Sequence, residues 1–228
     1  FINGFSTAFT PQIIKYYAQR DYSNLHRLLT RASKFSFALC YLMALPLIIN
    51  MDFILHLWLG DGVPQYTSEF CQLILICTII DSTTGVFNAT VTATGKIKAY
   101  QTCISISFLL DLIFCFFLFI FELSPVIVFG SRIFTRGIVN MFIGMYFTQE
   151  KAYYKAMDYS FKVLVPVIVT VIFTFIPIYI LGLYTIGWSR LLLTGFSSVL
   201  ITSSCVLFII MDKNERTSII QKIKARKL

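Results

Sequence analysis

Charge is what this sequence has least of: Asp, Glu, Lys and Arg make up 13% of its 228 residues, against about 25% in soluble globular domains. With 57% hydrophobic and 16% aromatic residues, too little polar surface remains to cover a water-soluble fold. Histidine is scarce as well. His26 and His56 are single and far apart, which points to surface or interfacial roles rather than to a metal or catalytic set. The six cysteines lie in or beside apolar stretches without any CxxC spacing, so they read as small packing residues, not as a zinc site or disulfide framework. Gly95-Lys96 lacks the upstream glycine of a phosphate-binding loop. No Ser/His/Asp catalytic set is apparent in any external loop. The expectation is a protein that is not an enzyme and uses neither cofactor nor metal. A charged n-region and a cleavage site are also missing from the start, and residues 1–11 read like the interior of an apolar helix, so the chain reads as a fragment rather than as one opening on a signal peptide.

What is present is a series of apolar runs of bilayer length. Six complete spans are expected at residues 35–50, 70–93, 99–121, 125–147, 163–183 and 191–211, with a partial seventh at 1–14. Barrel strands would need only about ten residues and would alternate in polarity, so the spans are helices. The expected fold class is therefore all-α, a polytopic membrane helix bundle. Pro11, Pro46, Pro166 and Pro177 fall inside apolar segments and predict kinks, not breaks. Residues 1–158 read as one bundle, 159–211 as a terminal helix pair and 212–228 as a basic tail. In that tail Ile219, Ile220 and Ile223 share a helical face beside Lys222, Lys224, Arg226 and Lys227, a pattern that suits either an interfacial helix on anionic lipid or a frayed basic end.

Orientation follows from the basic residues. Lys15, Arg20, Arg27, Arg31 and Lys34 fall on the first connection, Lys96 and Lys98 on the third, Lys151, Lys155 and Lys162 on the fifth, and six more after residue 211. The intervening connections, around 51–65, 122–124 and 184–190, are short and hold only Arg190. The first of them carries Trp58 where an aromatic interface anchor would sit. The basic side, and with it the C-terminus, is expected in the cytoplasm. The net charge of +8 is then a topology signal, and no nucleic-acid partner is implied.

Ionisable groups inside spans are costly and mark a cavity or a partner. Four stand out: Asp81, Asp111, Arg132 and Arg136. Arg132 and Arg136 are four apart and share a helix face. Across the short turn at 122–124, Asp111 and Arg136 fall at about the same depth, roughly 15 Å in at 1.5 Å per residue. The expectation is an ion pair between those two, with Arg132 freer to meet an anion; the alternative is a pair that only helps the hairpin insert. Asp81 opens a polar stretch in which Thr84 and Asn88 fall on its helical face. A proton or small-cation site and simple interhelical packing both account for it.

Several stretches resemble the C-terminal half of polysaccharide flippases, the O-antigen transporter-like members of the multidrug/oligosaccharidyl-lipid/polysaccharide exporter superfamily. They are Pro11-Gln12 with Lys15 and Tyr17-Ala18; Ala44-Leu45-Pro46 with Leu57-Trp58-Leu59; and Ala93-Thr94-Gly95-Lys96 with Tyr100-Gln101. The resemblance covers about the first hundred residues. It implies the second lobe of a two-lobed transporter that flips polyprenyl-pyrophosphate-linked oligosaccharides outward across the bacterial inner membrane by alternating access. The partners it implies are that lipid-linked glycan, the bilayer and an H+ or Na+ coupling ion. Arg132, Arg136 and Asp111 are then candidates for the substrate cavity, and Asp81 for ion coupling. A multidrug/cation antiporter of the same superfamily and a lipid II flippase are the nearest alternatives. From a different class, a membrane glycosyltransferase or polymerase would call for a sizeable external loop, and a scaffold subunit leaves the intramembrane charges unexplained.

Overall fold

The computed structural model describes the backbone of residues 2–210 and the side chains of residues 8–135 and 137–210. The basic tail at 212–228 lies outside the described residues. The helices are α1 (Ile2–Ala18), α2 (Tyr22–Ile49), α3 (Met51–Leu59), α4 (Thr67–Ala93), α5 (Lys98–Ile120), α6 (Pro125–Ile133), α7 (Asn140–Ala152), α8 (Ala156–Tyr159), α9 (Val165–Leu183) and α10 (Gly187–Cys205). A π-helical segment, Phe134–Val139, joins α6 to α7; a second, Ser160–Leu164, joins α8 to α9; a third, Val206–Ile210, continues α10. No strand occurs among the described residues. Among the described residues, six stretches are long and apolar enough to cross a bilayer: Tyr22–Ile49, Thr67–Ala93, Lys98–Ile120, Pro125–Ala152, Ala156–Leu183 and Gly187–Ile210. The all-α polytopic bundle is therefore the observed architecture.

Two features differ most from the sequence-based expectation. α2 begins at Tyr22 rather than at residue 35, so Arg27, Arg31 and Lys34 ride on a helix instead of in a connection. Lys and Arg are good helix formers with long apolar stems, and hydropathy alone truncates a span at such residues. The other is α3, a short helix inside the 51–65 connection. Leu57, Trp58 and Leu59 are exposed on it, Trp58 at 80%, while Phe53 meets the Trp188 ring edge-on at 5.5 Å. Such a helix lies along an interface rather than across a membrane.

α2 is the axis of the bundle, packing against α1, α4, α9 and α10. Leu25, Leu29, Phe37 and Leu45 of α2 are almost wholly buried, together with Ile13 of α1, Phe87 of α4 and Ile178 of α9. Pro46 lies within α2 without ending it, and Asn50 donates its side-chain amide to the Pro46 carbonyl at 2.8 Å. The same amide reaches Thr194 Oγ1 on α10 at 2.8 Å. Arg190 Nη2 donates to the Ile49 carbonyl at 3.1 Å, and Tyr41 and Thr174 share a hydroxyl–hydroxyl bond of 2.8 Å. The α9–α10 pair is thus tied to α2 by polar contacts as well as by packing. Tyr159 is 1% exposed and donates its hydroxyl to the Thr83 carbonyl at 2.8 Å, joining α8 to α4.

α4 and α7 approach most closely at Gly144, where a Cβ would stand 2.5 Å from Phe87 Cδ2. Phe87 is itself buried and held by Tyr159, ring centroids 4.7 Å apart, so it cannot swing away. α5 is packed chiefly on α6, α7 and the π segment between them. Leu109, Leu110, Leu112, Phe116 and Phe119 face outward, as a lipid-exposed helix requires.

Replacing Gly144 with Val is expected to cost about 1–3 kcal/mol through overpacking, read as a lower thermal midpoint in detergent, with Gly130→Val as a control whose Cβ has room. Equal midpoints for the two variants would discount the close approach. At the start of α2, Asp21 accepts hydrogen bonds from the Asn24 backbone N–H at 3.1 Å and side chain at 2.7 Å. These bonds, the side-chain one foremost, hold the Asp21 carboxyl below the usual carboxylate value. A depressed folded value means that the cap acts fully above the unfolded value and is lost as pH falls through the folded one. Acidification into that window is expected to loosen the first turn of α2 in wild type but not in Asp21→Asn, measured by amide exchange corrected for its intrinsic pH dependence.

Candidate functional site

Three of the four intramembrane charges, Asp111, Arg132 and Arg136, fall on the hairpin formed by α5 with α6, the π segment and α7. Along α5, Ser107, Asp111 and Cys115 are spaced four apart and so share one face. Each meets a polar group across the hairpin. Ser107 Oγ donates to Asn140 Oδ1 at 2.7 Å. Thr135 Oγ1 donates to Asp111 Oδ1 at 2.6 Å. Cys115 Sγ lies 3.2 Å from Ser131 Oγ. The result is a polar seam three rungs long between two otherwise apolar segments, with Asp111 in the middle.

Arg132, expected to be the freer arginine, is within reach of this aspartate: its Nε lies 4.0 Å from Asp111 Oδ2. The two ends of that contact differ. The Asp111 side chain is 11% exposed and that of Arg132 is 50% exposed, so the carboxylate sits in the seam while the guanidinium reaches out of it. Arg132 also lies over the Phe129 ring, 5.0 Å from its centroid, and Phe129 packs edge-on against Phe70 of α4 at 5.3 Å. A guanidinium held by a ring face and one distant carboxylate keeps most of its donors available. Arg136 falls within the π segment Phe134–Val139; its side chain is outside the described residues, and with it the expected Asp111–Arg136 pair. π turns inside α-helices are frequent at functional sites, and periodicity could not have located this one.

Asp81 lies on α4. The buried stripe of that region is Ser82, Thr83, Val86, Phe87, Thr90 and Val91, whereas Asp81 and Thr84 are half-buried and Asn88 is exposed. The polar face expected at Asp81, Thr84 and Asn88 therefore runs from half-buried to exposed along its helix. The neighbouring hydroxyls are occupied locally: Ser82 donates to the Ile79 carbonyl at 2.6 Å, Thr83 to Ile80 at 2.7 Å and Thr90 to Val86 at 2.7 Å. Those three serve their own helix backbone. Asp81, Asp111 and Arg132 stand on three different helices.

The residues carrying the family resemblance have mostly architectural places. Pro11 lies inside α1, and Lys15 is in its last turn, where a cation complements the helix dipole. Pro46 sits beneath the Asn50 amide, and Trp58 is on the interfacial α3. Gly95 follows α4 at φ +70°, the left-handed position that ends a helix and favours glycine, and the Lys96 N–H is taken by Thr94 Oγ1 at 3.1 Å. Sequence reading missed the Asn50–Thr194 and Arg190–Ile49 ties. A lone Asn at the end of a span was their one visible sign.

The described residues form a multi-helix membrane bundle with polar groups gathered along its helix seams. The chain belongs to the MatE family, whose model matches residues 1–117, and is thereby a transporter of the multidrug/oligosaccharidyl-lipid/polysaccharide exporter superfamily. No curated protein and no solved structure gives a match. The matched segment ends within α5, so Arg132 and Arg136 lie beyond it.

Thr135→Val is expected to cost about 1 kcal/mol, the scale of one interhelical hydrogen bond in a membrane, and Asp111→Ala more, because it leaves Thr135 without its acceptor. Steric-trap unfolding in bicelles measures both. A neutral Thr135→Val would detach Asp111 from any role in closing the hairpin.

Proposed function

We propose that this transporter flips polyprenyl-pyrophosphate-linked oligosaccharide repeat units outward across the bacterial inner membrane for surface polysaccharide synthesis. The observation that carries the reading is Arg132: a half-exposed guanidinium at membrane depth, anchored on Phe129 and only loosely engaged by Asp111. Guanidinium forks match phosphate oxygens two at a time, and a second arginine follows one turn later at Arg136. In this reading the pyrophosphate meets these arginines, the glycan crosses a hydrated cavity, and the polyprenyl tail stays in lipid. Asp111 belongs to the cavity wall and also orients Arg132.

The flip forms no covalent bond. It needs two states that bind the lipid-linked glycan differently, since a ligand shifts an equilibrium only by its differential affinity. Asp81, half-buried on α4, is the candidate for H+ or Na+ coupling. The chain supplies the second lobe, with 1–158 as its bundle and 159–211 as the terminal pair. Its basic connections lie in the cytoplasm by the positive-inside rule, and so does the C-terminus. The antiporter alternative draws on the two intramembrane carboxylates, Asp81 and Asp111, which suit a cationic drug.

The test is complementation of a flippase-deficient strain by the complete gene, with wild type compared to Arg132→Ala and Arg136→Ala at matched membrane abundance. The readout is surface polysaccharide against lipid-linked repeat units still facing the cytoplasm. Rescue by wild type and a fall of about tenfold in each variant, the worth of one charge-assisted hydrogen bond, is the expected outcome. Rescue with fully active variants would keep the flippase and remove the arginines from the path. Failure of wild type in a strain of matched glycan, together with drug efflux lost in Asp81→Asn, would favour the antiporter.

A further inference from the structure

A second polar site stands at the basic end of the bundle, away from the α5–α7 seam. It is a cavity of about 350 Å³ lined by Ser23, His26, Arg27, Thr30, Tyr154 and Lys162, within the roughly 300–1,000 Å³ range of ligand pockets. Its wall comes from three places: the first turns of α2, the connection between α7 and α8, and the π segment that follows α8. These are tied together. His26 Nε2 donates to the Ala152 carbonyl at 2.8 Å, the His26 and Tyr154 rings stack with centroids 4.8 Å apart, and Tyr154 and Thr30 share a hydroxyl–hydroxyl bond of 2.6 Å. Tyr154 is 3% exposed. Burial raises its phenol above the ordinary value, so it stays a neutral hydrogen-bonding group. The wall is therefore built before any ligand arrives.

Two cations reach this cavity, Arg27 and Lys162, and both are exposed. The one described counter-charge beside them is Asp158, 3.7 Å from Lys162 Nζ and itself half-exposed, so the pair is weak and solvent-screened. Ser23 adds a hydroxyl. Tyr22 meets the exposed Tyr153 edge-on at 5.2 Å and Tyr17 at 6.4 Å. Such a tyrosine cluster at the end of spanning helices marks headgroup depth. A positive, preformed, hydroxyl-bearing cavity at that depth has the chemistry of a phosphate cradle.

We infer that the cavity between α2 and the α7–α8 connection is a phosphate-binding site that holds the headgroup phosphate of an anionic membrane lipid. The site is independent of the flipping proposed above, since it uses none of Asp81, Asp111, Arg132 or Arg136. A phosphate ester or a pyrophosphate in solution offers the same oxygens, and only the acyl chains distinguish the sources.

The experiment uses the protein from its complete gene in nanodiscs of phosphatidylcholine, with or without phosphatidylglycerol, and a neutral amine-acetylating reagent read by peptide mass spectrometry. Phosphatidylglycerol is expected to slow acetylation of Lys162 several-fold while leaving Lys155, an exposed lysine on the α7–α8 connection, unchanged. Native mass spectrometry of the released protein should show phosphatidylglycerol retained by wild type and reduced about tenfold in Arg27→Gln/Lys162→Gln, as expected for two basic groups facing an anionic headgroup. Inorganic pyrophosphate that protects Lys162 equally well in pure phosphatidylcholine would keep the phosphate site and assign it a soluble source. Parallel responses of Lys162 and Lys155 to both probes would overturn it. The acetylation arm needs no variant, so misfolding of the double substitution leaves the proposal testable.

Discussion

Every span in this chain must satisfy its own backbone amides and carbonyls, because hydrocarbon supplies no competing partner. That constraint produces the helices, and it also governs where they deviate. Pro46 is accommodated inside α2, and Asn50 adds a second donor to its carbonyl. Serine and threonine hydroxyls in the spans mostly return to carbonyls three or four residues earlier, as at Thr83, Thr90, Thr170 and Ser198. The few that bond across helices are the ones that hold the bundle together.

Those cross-helix bonds fall into separate seams with different roles. Between α2 and the α9–α10 pair, Tyr41–Thr174, Asn50–Thr194 and Arg190–Ile49 join neutral hydroxyls, an amide and one cation to backbone or hydroxyl oxygens. This seam docks a helix pair. Between α5 and α6–α7, the middle rung joins Thr135 to Asp111 and brings Arg132 Nε within 4.0 Å of the same carboxyl group, where a neutral hydrogen bond alone would have cost less desolvation. A charge kept there, with its guanidinium turned half out of the seam, is the asymmetry on which the anion reading rests.

The two polar sites also differ in construction. The arginine site lies beside a π-helical segment, where helix geometry is irregular. The cavity near His26 and Tyr154 is assembled from parts of the chain more than a hundred residues apart, joined by a ring stack and two hydrogen bonds.

Much of the fold was legible without coordinates, because bilayer thickness imposes a run length that composition reveals directly. The spans, the short turns and the alternation of Lys and Arg followed from that. The true start of α2 did not, since Arg27, Arg31 and Lys34 interrupt a hydropathy window while leaving helix formation intact. Nor did α3, whose apolar residues looked like part of a connection. Asp111, Arg132 and Arg136 were visible as charges out of place, yet helix periodicity assumes 3.6 residues per turn, and a π segment begins two residues past Arg132. The sequence by itself determined that this chain crosses a membrane repeatedly and carries arginines within it, because those are local properties of composition and spacing. Only the tertiary structure decided that Arg132 shares Asp111 with Thr135, that Gly144 admits Phe87, and that His26 stacks on Tyr154, because each contact depends on how distant helices are set against one another.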